Sequence, residues 1–384
     1  MNEARDALCD LVGAVRQLAG LTEQVGPFSL PAGTDANAPA LLEAVCGALR
    51  VPLRFDGPSP GVARDYAPAV LAAEIHRAQA VQALATLDDV DAVAESARQI
   101  ADEQDAGLRS IIVDRSGAPV ITAVEAGPPD GPRVLVSPPC AMSPLLSLRW
   151  VRKLAALGYR CLVPATRGTT GRIVEATDFD RHGSGVEDQV DDLAAAAATL
   201  GGSRIHLMGL CGGATAALAL AARRPDLVES LSLWHAAAQL GPEVPESAHQ
   251  ANLRTTLDIA AESRDTTAWL RRRLVAGPMT GVPPGIGPLV VRPYATDELL
   301  YRYAKLMVAT MHEDSRAAVS AIRQPCLLVT SEADSTAHPA GSRWIAAELP
   351  GAQLALTGHV DHLDAFRATD SQLSMLTGFL GGSA

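Results

Sequence analysis

Gly209-Leu210-Cys211-Gly212-Gly213 is the stretch on which the reading of this chain turns. An apolar run, Arg204–Met208, leads into it, and an alanine-rich run, Ala214–Arg223, leads out. The first predicts a buried strand and the second a helix. Between them the pentapeptide has the G-x-S-x-G form of a strand-to-helix elbow that presents a nucleophile, with cysteine in the serine position. Such an elbow holds its central residue at unfavourable backbone angles above a sheet. Side chains two residues to either side would strike the neighbouring strand or helix, and glycines at 209 and 213 remove them. The helix that follows points its N-terminus at Cys211, which favours the thiolate. The plainer alternative is a glycine-rich β-α turn with a chance cysteine; the strand before it and the helix after it favour the catalytic reading.

Outward from the elbow, strands and helices alternate. Upstream, Ser110–Arg115 and Val120–Glu125 predict a strand pair about a Ser116-Gly117 turn, followed by a short buried strand at Arg133–Val136. A helix is predicted at Arg149–Leu157, a strand at Arg160–Val163 and a helix at Gly185–Leu200. Downstream, Leu227–Trp234 is a strand. The alternation resumes with Pro325–Thr330 (strand), Gly341–Leu349 (helix), Gln353–Leu356 (strand) and a closing helix, Asp364–Leu380. Two antiparallel strands followed by β-α repeats imply an α/β protein, with a mostly parallel sheet covered by helices on both faces.

Two regions stand outside that alternation. Residues 1–106 read as mostly helical, with Leu8, Leu11, Val12, Val15 and Leu18 at helical spacing and further helices at Ala40–Leu49 and Ala67–Asp105. This extra N-terminal region is expected to act as a lid or as an arm for homodimer formation. Residues 236–314 are helical, with a Pro/Gly-rich interruption at Gly277–Pro288. An insertion after a strand's carboxyl end lies over the ligand crevice of an open α/β sheet, so this segment is expected to be a cap. The remaining divisions are 107–235 and 315–384, the two parts of the core.

Bulk properties limit the partners. The 384 residues are 48% hydrophobic and 20% charged, with a net charge of −11, so phosphate backbones and anionic lipid are repelled. The expected partner is a small-molecule substrate, with neither nucleic acid nor membrane. Lys153 and Lys305 are the only lysines while Ala, Arg and Gly abound, as in GC-rich bacterial coding. Charged residues Glu3, Arg5, Asp6, Asp10 and Arg16 break up the start, which does not read as a signal peptide; a cytoplasmic location is expected. The six cysteines form no CxxC pair and no disulfide or zinc pattern, so reduced thiols are expected. There is no Walker loop or dinucleotide fingerprint, and no cofactor or metal is implied.

With these motifs placed, residues of about 108–235 and 315–384, roughly half the chain, resemble the α/β-hydrolase superfamily. The resemblance includes Arg167-Gly168 after the strand Arg160–Val163. A cysteine elbow within that superfamily resembles dienelactone hydrolases, polyhydroxyalkanoate synthases, and acyl-processing enzymes of bacterial polyketide pathways, including the acetate-eliminating enzymes of tetronate assembly. The resemblance implies a triad. Its acid matches Asp334, after the strand Pro325–Thr330, and its base matches His359 of the Gly358-His359 pair, with His362 a second, usually structural, histidine. His359 would take the Cys211 proton, and Asp334 would fix its tautomer.

The Gly212 N–H would supply half an oxyanion hole. The other half falls in Ser137-Pro138-Pro139-Cys140-Ala141, where Pro139 has no N–H, so the donor is Cys140 or Ala141. The Cys140 side chain itself is read as packing. Trp234 and His235, at a strand end, are expected to line the pocket, as are Tyr294 and Tyr301 at the edge of the cap. Tyr303, Trp269 and His312 are further wall candidates, with core packing the default for aromatics on helices. Arg271-Arg272-Arg273 reads as a solvated helix face. The implied activity is cleavage or transfer of an acyl group, ester or thioester, of a secondary-metabolite intermediate. The alternative is a lyase that eliminates acetate from an acetylated tetronate-type intermediate to leave an exocyclic olefin.

Overall fold

The structure, a computed structural model, describes residues 2–19, 28–29, 37–51, 55–56, 89–115, 117–169, 179–201, 204–275, 289–290, 292–294, 296–358 and 360–382. The chain forms two compact units: residues 1–106 with 263–300, and residues 107–262 with 301–384. The expected cap is therefore divided. Residues 263–300 group with the N-terminal region, and the rest of 236–314 groups with the core.

The first unit is helical, as its spacing implied. Helices Asn2–Ala19, Ala38–Ala48 and Val90–Asp105 bury Leu11, Val12, Leu42, Val45, Val93 and Ile100 against one another. Asp89 caps the third through the N–H groups of Asp91 and Ala92. Two short strands not anticipated from the sequence, β1 (Phe28–Ser29) and β2 (Phe55–Asp56), pair in parallel. The expected helix over 67–88 and the interruption 277–288 lie outside the described residues.

The second unit carries an eight-stranded sheet: β3 (Leu108–Val113), β4 (Ile121–Ala126), β5 (Arg133–Ser137), β6 (Arg160–Pro164), β7 (Ile205–Leu210), β8 (Val228–Trp234), β9 (Cys326–Ser331) and β10 (Gln353–Thr357). The order across it is β10-β9-β8-β7-β5-β6-β4-β3. β4 runs antiparallel to both its neighbours, and every other pairing is parallel. β7 lies near the middle and all six of its residues are buried, as a strand covered on both faces requires. One face carries Leu207, Leu231, Leu233 and Leu328, packed on the helices Val186–Thr199 and Gly213–Arg223.

The other face holds a polar seam. His206 is bracketed by Ser230 and Ser232 hydroxyls at 2.8 and 3.0 Å, and Ser232 also accepts from Trp234 Nε1 at 3.2 Å. Burial pushes His206 down to about 3, so it stays neutral. Trp234 is fully buried, its ring centroid 4.6 Å from that of Trp150. It is a core residue and does not line a pocket. The expected closing helix is two pieces: a 3₁₀ turn, His362–Phe366, and a helix, Asp370–Gly382. Ala368, at φ +48°, turns the chain between them.

The insertion after β8 departs and returns at one place, where Gln239 pairs with Asp314 and its carbonyl accepts from the Ser315 N–H at 2.9 Å. Its first helix, Ala248–Glu262, is tied down at the start: Ser247 Oγ donates to Thr336 O at 2.7 Å, and the His338 N–H donates to Gln250 Oε1 at 2.9 Å. No helix among the described residues is long and apolar enough to cross a membrane.

Candidate active site

Cys211 sits at the end of β7 with φ +51°, the left-handed backbone the elbow motif demands. Its N–H donates to Trp234 O at 3.0 Å, and its carbonyl accepts from Ala214 and Ala237. The two glycines are there for the reason the sequence suggested. A Cβ at Gly209 would stand 3.0 Å from Ala214 Cα and from Leu233 Cδ2, and one at Gly213 would stand 2.2 Å from Pro138 O. The second approach is backbone on backbone, so the elbow and the 137–141 loop fit only without a side chain at 213.

Cys211 is half-buried, whereas Cys46, Cys140, Cys161 and Cys326 are buried. Burial pushes the Cys140 thiol up to about 12 despite hydrogen bonds with Thr310 and Gln189 that pull it down, and it pushes Cys326 up to about 12 as well. Cys9, the other half-buried thiol, is also raised, by burial and by Asp10, Asp6 and Glu103 against the pull of Arg5. Iodoacetamide at neutral pH is therefore expected to alkylate Cys211 first. Peptide mapping after brief exposure checks this, and label concentrated on Cys140 or Cys9 would reverse the assignment.

β9 leads to Asp334, whose carboxylate takes four donors. Oδ1 accepts from the N–H groups of Thr336 at 2.9 Å and Ala337 at 2.8 Å. Oδ2 accepts from Nδ1 of His235 at 2.7 Å and Nδ1 of His362 at 2.9 Å. A carboxylate oxygen can only accept, so both Nδ1 atoms carry hydrogen. Burial alone would raise the Asp334 carboxyl; the bonds from His235 and His362, the His362 charge and the Ala337 N–H hold it well below the usual range instead.

His362 is thus the histidine placed against the acid. Ser331 Oγ binds both Gly358 O and the Val360 N–H, the Asp361 side chain caps the turn at the Asp364 N–H, and Trp150 Nε1 holds Ala365 O at 2.7 Å. These bonds fix the turn that carries His362. Its Nε2 is buried without a hydrogen-bond partner among the described residues. Burial pulls His362 down, but the Cys211 charge and the bond to Asp334 outweigh it and push it up to about 10. The expected base, His359, lies outside the described residues; among the described residues, His362 is bonded to the acid and feels the charge of Cys211.

The oxyanion donors are narrowed by one bond. The Ala141 N–H donates to Thr166 Oγ1 at 3.0 Å, which removes it as a candidate. Thr166 precedes Arg167, whose buried guanidinium grips Asp192 at 2.6 and 2.8 Å and so pins that loop to the helix Val186–Thr199. The Cys140 N–H has no acceptor among the described residues, and a Cβ on Gly212 would lie 3.7 Å from that nitrogen. The N–H groups of Gly212 and Cys140 are the candidates that remain among the described residues. The Cys140 side chain packs, its thiol 3.3 Å from Gln189 Oε1 and 3.7 Å from Leu306 O of the helix Asp297–His312. Met307 of the same helix reaches within 4.0 Å of the Gly212 Cβ position, a neighbour to which no motif pointed.

The other candidates are placed as follows. His235 is fully buried at φ +50° and touches Asp334, so it belongs to the acid and not to a pocket wall. Tyr301 is buried edge-on to Phe179 at 6.4 Å, and Tyr303 is buried too. Tyr294 falls in the first unit. Trp269 carries Arg273 over its ring, Arg271 pairs with Asp297, and His312 bonds Asp258 at 2.8 Å. Sequence reasoning passed over His249, on the helix Ala248–Glu262, which feels the charges of both His362 and Asp334 and is lowered by burial and by His362. For a metal, the group among the described residues that offers ligands is His235, Asp334 and His362, whose ligand atoms lie within 4.8 Å of one another. Their short mutual hydrogen bonds already use the two Nδ1 atoms and Oδ2.

The fold is that of the α/β-hydrolases. An enol-lactonase from Burkholderia xenovorans is 21% identical with a TM-score of 0.53, covering 68% of this chain and 96% of that one. A hydrolase from Pseudomonas aeruginosa is 19% identical with a TM-score of 0.54 (72% and 99% covered), and a thermophilic esterase from Thermogutta terrifontis is 20% identical with a TM-score of 0.53 (72% and 99%). No protein-family model matches the sequence, and no curated protein is significantly similar to it.

Proposed function

We propose that the chain is an acyl hydrolase or acyltransferase acting on an ester or thioester of a small secondary metabolite, with Cys211 as nucleophile, His362 as base and Asp334 as orienting acid. The observation that carries this reading is the hydrogen bond between Asp334 and His362 Nδ1 at 2.9 Å, on a histidine that also feels the charge of the elbow residue Cys211. In the first half-reaction the Cys211 thiolate attacks the acyl carbon, the oxyanion rests on the N–H groups of Gly212 and Cys140, and His362 gives its proton to the leaving group. In the second, His362 takes a proton from water or an acceptor alcohol as that oxygen attacks the thioester, and the thiolate leaves. The hydrolase and esterase relatives of similar fold support the class.

Acetate elimination would use the same groups differently, with His362 removing a carbon-bound proton and the donors holding an enolate. The fate of oxygen separates the two. An acetylated substrate turned over in oxygen-18 water is expected to release labelled acetate, with an acetyl group trapped on Cys211 by acid quenching. Unlabelled acetate together with an olefinic co-product would make the protein a lyase and overturn the acyl-enzyme reading.

A further inference from the structure

We propose that His235 is a positioning residue that shares the Asp334 carboxylate with His362 and thereby limits the basicity of His362 once Cys211 is acylated. The inference rests on the Cys211-His362-Asp334 reading above and deepens it. Nothing in a nucleophile, base and acid requires a second histidine on the acid. Yet His235 is wholly buried, is held at φ +50°, anchors its N–H on Val329 O at 2.8 Å, and sends Nδ1 to Oδ2 at 2.7 Å. That contact is shorter than the one from His362 to the same oxygen. The two rings stand nearly perpendicular, 5.5 Å apart.

The chemistry of the cycle gives this arrangement a use. Before acylation a charge on the Cys211 sulfur favours the imidazolium of His362. Forming the thioester consumes that charge, and deacylation then needs His362 neutral so that it can accept a proton from water. What still favours the imidazolium is Asp334. Spread over two backbone N–H groups and two Nδ1–H donors, the carboxylate charge pulls less strongly on the His362 proton than it would with His362 as its one side-chain donor. The other titratable groups about His362 are Cys211 beyond β7, His249 on the helix Ala248–Glu262, and Asp361 and Asp364 of its own turn. Asp361 is engaged in capping, and Asp364 accepts from Gln372 Nε2 at 2.8 Å. His235 is the group among them that acts directly on the acid.

The test is a nitrogen-15 NMR titration of His362 in the Cys211→Ala background, which lacks the thiolate just as the acyl-enzyme does and needs no turnover. Adding His235→Phe is expected to raise the His362 midpoint by about one pH unit. Adding His235→Asn, whose Nδ2 can occupy the place of Nδ1 and whose backbone tolerates a left-handed φ, is expected to leave it unmoved. If the Phe variant does not fold, His235→Gly, at ease at positive φ and without a donor, replaces it with the same expectation. Equal midpoints in the donor-less and Asn variants, or a downward shift, would overturn the proposal. The acyl-enzyme reading is judged separately, by whether wild type shows a burst with p-nitrophenyl acetate, and a failure there leaves the titration to be read on its own.

Discussion

Cys211→Ala is expected to abolish acyl transfer, with kcat/KM falling roughly ten-thousand-fold while the fold persists. The size of the effect follows from the geometry. Cys211 is the nucleophilic side chain of the elbow and its charge is felt by His362, and alanine leaves the Gly212 and Cys140 N–H groups without it. Alanine also keeps a Cβ at φ +51°, so the turn itself is no more strained than before. Circular dichroism and thermal melting of the variant, set beside its kinetics, separate loss of chemistry from loss of structure. Turnover near that of wild type would remove the covalent mechanism altogether, and the lyase reading would then have to stand on His362 alone.

The second large effect is expected at His362. His362→Ala should cost about a thousandfold or more in kcat/KM, because it removes both the partner of the thiol and the proton carrier of each half-reaction. His359→Ala is expected to cost far less than His362→Ala, because the proposal gives both proton-transfer steps to the histidine bonded to Asp334. The rate of Cys211 alkylation supplies a second reading. His362 is raised to about 10, so the cationic imidazole is present below this value and any support it lends to a Cys211 anion is lost as pH climbs through it. In His362→Ala the neutral-pH alkylation rate should drop, and its pH profile should become that of an ordinary thiol. The opposite ranking of the two histidine variants would return the base to His359.

These expectations show which parts of the molecule its sequence discloses. The strands and helices about Cys211 were legible because their signals are local: apolar runs of strand length, alanine-rich helices, and glycines where the elbow needs them. Asp334 was legible by its place after a late strand. The choice between His359 and His362 was not, since both lie on one short loop and local pattern favours the first. What favours His362 in the proposal above is its bond to Asp334, on a turn anchored by Trp150 Nε1 more than two hundred residues away in sequence. His235 was read as a pocket residue because the sequence does not reveal that β8 and β9 are neighbours. Their register sets Trp234 beside Val329, and so brings His235 to the loop that bears Asp334. Trp234 was misread for a different reason. Its place at the strand end suggested a pocket, but it continues the face of Ser230 and Ser232, which looks inward to His206 and Trp150. The loss of Ala141 as an oxyanion donor depends on a single hydroxyl, Thr166, from another loop.

The left-handed residues carry a further consequence. Five described non-glycine residues have positive φ, and three of them, Ala141, Cys211 and His235, belong to the oxyanion loop, the elbow and the histidine on the acid. Each such residue costs roughly 1–2 kcal/mol relative to ordinary backbone. Together they give up about 3–6 kcal/mol, a large share of the ~5–15 kcal/mol by which a domain is normally stable. The strands beneath must supply that margin, so this protein's thermal tolerance and its chemistry are opposed at the same three positions. Selection for heat resistance alone would drift toward glycine at each of them, and would dismantle the site in doing so.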